Sequence, residues 1–150
     1  PFEVEPTLVN QLPISVGTDG NIYNGKGYKE NTRYSASSNV EKDASGIYLS
    51  GYIPVVGGDI IRVKNVGMNK NNAVEYSNMV IYFTALGTAG GSATLTNETD
   101  SATIAFSPVW DGNGNLVQVT VPNSYGITYI RLTATYMGSD SIVTINQEIP

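Results

Sequence analysis

Nowhere in the 150-residue chain does an apolar period near 3.6 residues persist for three turns. Short alternating apolar runs recur instead, divided by breaks rich in Gly, Asn and Asp. Met79 to Leu86 (MVIYFTAL) is apolar at both alternating sets of positions, as a strand covered on each side requires. Leu116 to Val121 (LVQVTV) sets Val117, Val119 and Val121 on one face and Gln118 and Thr120 on the other. Ile127 to Tyr136 groups Thr128, Ile130, Leu132, Ala134 and Tyr136 opposite Tyr129, Arg131, Thr133 and Thr135. Ala102 to Phe106 (ATIAF) and Ser141 to Gln147 (SIVTINQ) read as shorter strands, and VGTDGN, GTAGGS, DGNGN and GSD as the breaks. This pattern predicts an all-β fold, an antiparallel β-sandwich of jelly-roll type. The length suits a single domain, with residues 1–19 as a lead-in strand or linker and 20–150 as the sandwich.

Composition narrows the function classes. Charged residues are only 14% of the chain, so its surface must rely on Asn, Ser, Thr and Gly. A net charge of −5 without a basic cluster argues against nucleic acid, whose phosphates bind by displacing counterions onto Lys and Arg. No apolar run is long enough to span a bilayer, and no membrane insertion is expected. Cys is absent, so no disulfide holds the fold. The chain starts at Pro1, as a piece cut from a longer protein would.

The stretch SGYIPVVGGDIIRVKN (Ser50 to Asn65) reads as a β-hairpin over Tyr52 to Lys64. Pro54 lacks a backbone donor and belongs at an edge or strand end. Gly57-Gly58 permits a turn with positive φ, which Asp59 can cap. Ile61 and Val63 then face inward, and Arg62 and Lys64 face water.

With neither His nor Cys, His-based triads and thiol nucleophiles are excluded. Asp19, Glu30, Glu41, Asp43 and Glu98 fall in polar stretches read as solvated loops, which disfavours a glycosidase carboxylate pair. No P-loop or dinucleotide glycine pattern occurs, so no enzyme activity and no cofactor are expected. Asp111, Asn113 and Asn115 have the spacing of the first EF-hand ligands. However, Leu116 and Pro122 stand where its glycine and closing Glu belong, so DGNGN is expected to be a hairpin turn and not a metal site. Asn97-Glu98-Thr99 has the pattern of a glycosylation sequon.

Saccharides are recognised by flat aromatic faces with amides and carboxylates close by. Two segments offer that mixture. One is Tyr23 to Tyr34 (YNGKGYKENTRY), with Tyr23, Tyr28, Asn31 and Tyr34 as ligand-binding candidates. The other is Trp110 with Asp111 and Asn113, beside a hydrophilic turn.

Four segments carry a resemblance. Tyr52-Ile53-Pro54-Val55 followed by Gly58-Asp59 and Ile61-Arg62 resembles the "YIPV..GD.I" hairpin of phage tail-fibre and baseplate proteins from siphophages and prophages of Gram-positive bacteria. GYKENTRYSASS (Gly27 to Ser38) resembles their "GY....R.SSSG" segment, with Asn39 where glycine is frequent. WDGNGNLV (Trp110 to Val117) is similar to their "YD.NGN" turn, with Trp for Tyr, and VTVPNSYGITYIRLT (Val119 to Thr133) to their "..VP....YIR" strand pair. The resemblance runs from about Gly20 to the C-terminus. It implies a virion protein, made in the host cytoplasm, that carries a carbohydrate-binding-module-like β-sandwich in a tail fibre or baseplate. Its implied partners are a bacterial cell-wall or surface saccharide, other tail proteins and copies of itself, a trimer being expected. The alternatives are an assembly module with no ligand of its own and a carbohydrate-binding module of a bacterial surface enzyme.

Overall fold

The computed structural model describes residues 28–96, 105–146 and 148–149. Tyr23, the sequon, the VGTDGN break and the 1–19 lead-in lie outside them. The fold is all-β, two antiparallel sheets packed as a sandwich. The first sheet has the order β1 (Tyr28–Ser35), β2 (Val40–Ser50), β9 (Tyr129–Ala134), β5 (Met79–Ala85), β6 (Thr88–Thr94), with the short β3 (Ile53–Pro54) also pairing with β9. The second has the order β10 (Ile142–Ile145), β4 (Ile60–Lys64), β8 (Leu116–Thr120), β7 (Val109–Trp110).

Alternation decides which side chains meet between the sheets. Ile130, Leu132 and Ala134 of β9 pack with Val80 of β5, Ile61 and Val63 of β4, Val119 of β8 and Val143 of β10 in one buried cluster. The opposite face of β9 and β5 is covered too, as the apolar run from Met79 predicted. There Ile81 and Phe83 join Tyr34 and Leu49 in a second, smaller cluster.

Tyr52 to Lys64 is not a hairpin. β3 pairs with β9 in the first sheet, whereas β4 pairs with β8 and β10 in the second. The Gly57-Gly58 turn is therefore a corner between layers. The Val55 amide donates to the Thr128 carbonyl at 3.0 Å on one side, and the Gly58 amide donates to the Val121 carbonyl at 2.7 Å on the other. The turn chemistry itself is as expected. Gly58 has φ +93°, and Asp59 Oδ2 accepts from the Val56 amide at 2.9 Å. Pro54 ends β3, where its missing donor costs least. Val119 to Thr133 makes the same kind of passage, β8 and β9 lying in different sheets.

Three other expectations change. Of GTAGGS only Gly87 is a break, in the turn before β6 with φ 77°; Thr88 to Ser92 lies within β6, whose glycines admit the Tyr82 ring, its Cζ 2.8 Å from where a side chain at Gly91 would start. In β8 the register against β7 shifts between Val109 and Trp110, and Leu116, not Val117, enters the core. Ala105 is helical and Phe106 is in a turn, although Phe106 is fully buried against Tyr82.

Glu30, Glu41 and Asp43 are not in loops. They lie in β1 and β2, a hairpin whose ladder is interrupted between Glu30 and Thr32. There Asn31 takes φ 55° and Gly46 φ 78°, and Asn31 Oδ1 accepts from the Gly46 amide at 3.0 Å. Beyond this irregularity the hairpin crosses the outer face of its own sheet. Tyr34 packs edge-on to Phe83 at 5.0 Å, and Asn39 near the tip accepts from the Ala89 amide of β6 at 2.8 Å.

Candidate functional site

Arg131 is what the folded-over hairpin covers. It is 1% exposed, with Nε donating to the Ser50 carbonyl at 2.8 Å and Nη1 3.1 Å from Glu41 Oε2. Tyr52 lies across the guanidinium at 4.5 Å and Tyr34 at 5.6 Å. Lys29 bonds the other Glu41 oxygen at 2.8 Å. Burial pushes the Glu41 carboxyl up, but the hydrogen bond from Lys29 and the charge of Arg131 outweigh it and hold it below the usual range. Burial likewise pushes the Tyr34 hydroxyl up. Every charge here already has a partner, so the cluster fastens the hairpin and leaves little for a ligand.

Beside it opens a cleft of about 460 Å³, within the size range of small-ligand sites. The hairpin supplies one wall through Arg33, Tyr34, Ser35 and Ser37, and the outer face of the sheet supplies Met79, Gly90, Gly91, Ser92 and Thr133. Tyr76 completes it from the loop before β5. The Thr133 hydroxyl is buried and has no hydrogen-bond partner among the described residues. Ser35 Oγ and Ser37 Oγ lie 3.3 Å apart. The lining carries hydroxyls, one guanidinium and aromatic surface, and no carboxylate among the described residues.

Tyr76 has the most unusual backbone at the site. Its φ is +69°, a left-handed conformation in which a bulky side chain is strained by about 1–2 kcal/mol. Ser77 holds it there. The Ser77 amide donates to the Val74 carbonyl at 3.0 Å, while its hydroxyl accepts from the Val74 amide at 2.9 Å. The result is a ring that stays 40% exposed and lies 4.0 Å from the Arg33 guanidinium. Strain maintained at an exposed aromatic marks a candidate site.

The sequence-predicted residues divide between two regions. Tyr28 is half-buried on the main core and 5.9 Å from Tyr48. Asn31 is exposed, with its side-chain oxygen engaged by Gly46. Tyr34 is 6% exposed and lines the cleft. Trp110 stands on the other sheet, half-buried against the core with Lys70 Nζ 5.4 Å from its ring. Asp111 accepts from the amides of Asn113 and Asn115 at 2.8 and 2.9 Å, and the backbone bonds from Asn115 and Asn113 hold its carboxyl below the usual range. Asn113 gives its carbonyl to Asn69 Nδ2 at 3.0 Å. DGNGN is thus the expected hairpin turn between β7 and β8, braced by Asn69.

Tyr76 and Ser92 were not among the expected residues. An aromatic inside the polar run NKNNAVEYSN was a usable signal for Tyr76. Nothing local marked Ser92. Comparisons with protein-family models, curated proteins and solved structures returned no match.

Proposed function

We propose that this domain is a non-catalytic saccharide-binding module of a phage tail fibre or baseplate, holding a host surface sugar in the cleft between the β1–β2 hairpin and the outer sheet face. The observation that carries the reading is Tyr76, a strained and exposed aromatic at the mouth of a cleft lined with hydroxyls. An aromatic face suits the apolar side of a pyranose, and the serines suit its hydroxyls. A lining without a carboxylate pair among the described residues favours holding a sugar over hydrolysing it. The tail setting rests on the resemblance of the four segments. An open, wet groove binds one sugar weakly, so adhesion requires several copies acting together, as a trimeric fibre would supply.

The test is binding of a multimerised domain to isolated Gram-positive cell walls, with Tyr76→Ala and Trp110→Ala alongside. Loss in Tyr76→Ala with Trp110→Ala retained supports the cleft. Loss in Trp110→Ala alone moves the site to the other sheet. Failure of the unaltered multimer to bind any wall favours an assembly role.

A further inference from the structure

We infer that the saccharide taken by this cleft is acidic, with its carboxylate or phosphate oxygens bound by Arg33. The inference rests on the saccharide reading above and specifies its ligand class. Two independent features of the hairpin lead to it.

Among the described residues, Arg33 is the only charged one in the lining of the cleft. Arg33 is half-buried, its guanidinium lies over the Tyr76 ring at 4.0 Å, and no carboxylate among the described residues pairs with it. Lys29 on the same hairpin and Arg131 beneath it are treated differently, since they share Glu41. A guanidinium pressed on a ring keeps its edge donors free, and those donors fit two oxygens of one oxyanion.

The second feature is the ladder register. Arg33 stands directly opposite Lys42, with both side chains on the same face of the hairpin. Directly opposed like charges destabilise a strand pair, and Lys42 also lacks a carboxylate partner among the described residues. Two cations without a carboxylate partner among the described residues thus stand side by side, Arg33 in the cleft lining and Lys42 next to it. A bound anion removes that repulsion. A neutral sugar leaves it in place.

A printed array of bacterial surface glycans, in which each uronic-acid or phosphate-bearing glycan has a neutral counterpart, tests this with the multimerised domain. Binding is expected only to acidic members, falling as salt rises. Arg33→Gln should lower it about tenfold or more, Arg33→Lys less, and Lys42→Gln less than Arg33→Gln, with thermal melting not lowered, since either neutralisation also relieves the like-charge pair. Whether uronates or phosphates are retained identifies the oxyanion. Equal binding of acidic and neutral partners that still requires Tyr76 overturns the acidic ligand and leaves the saccharide reading standing. Absence of binding to every glycan overturns both.

Discussion

Glu41 Oε2 sits 3.1 Å from Arg131 Nη1, and this ion pair ties the far half of the β1–β2 hairpin to the central strand of the sheet it covers. The cleft exists because that half is held there. Removing Arg131 leaves Glu41 with Lys29 alone and opens a void beside Tyr34 and Tyr52. Arg131→Ala is expected to cost about 3–5 kcal/mol in urea unfolding. Glu41→Gln is expected to destabilise as well, because it leaves a guanidinium whose side chain is only 2% exposed without its counter-charge. An Arg131→Ala protein as stable as the parent would refute this assignment.

The same pair sets a pH dependence. The folded-state pKa of Glu41 is depressed. Its contribution is therefore complete above the ordinary carboxyl value of about 4.3 and is lost as pH falls through the lower folded value. The urea midpoints of the parent and Glu41→Gln should differ at pH 7, and the gap should close as pH falls below the ordinary carboxyl value and through the lower folded one. A gap that widens on acidification contradicts the sign.

The layer-crossing corner makes a prediction that a hairpin would not. A Cβ at Gly57 would lie 2.9 Å from Asn123 Cα, in the neighbouring passage from β8 to β9. Because the obstacle is backbone, Gly57→Ala is expected to cost about 1–3 kcal/mol. Asn123→Ala should rescue it only in part, since shortening that side chain leaves the main chain in the way. Chemical denaturation of the two single variants and the double variant reads the coupling, and additive effects would place the two passages apart.

Tyr76 separates stability from function. Tyr76→Asn puts in a residue that tolerates φ +69°, relieving about 1–2 kcal/mol of strain while losing a cation–π contact of about 0.5–1 kcal/mol. Thermal stability should stay within about 1 kcal/mol of the parent while wall binding falls. If stability drops with binding preserved, Tyr76 is a structural residue.

The all-β class, the strands around β5, β9 and β10, and the faces they present are legible in the residues alone. Alternation is a property of neighbouring residues, and Ile130, Leu132 and Ala134 carry it without reference to anything distant. Turn chemistry is equally local, which is why Gly58, Asp59 and the Asp111 loop behave as their residues predict. Strand pairing is settled only in the assembled fold. Strand, turn and strand from Tyr52 to Lys64 are compatible with a hairpin or with a corner, and the choice falls to β9, β8 and β10, whose unpaired edges take up β3 and β4 separately. Of the cleft, the residues alone point to Tyr34, and its assembly belongs to that second kind of information. Arg33, Tyr76 and Ser92 come from three separate elements, and they share one cleft because the hairpin, interrupted at Asn31 and Gly46, folds back over a buried arginine.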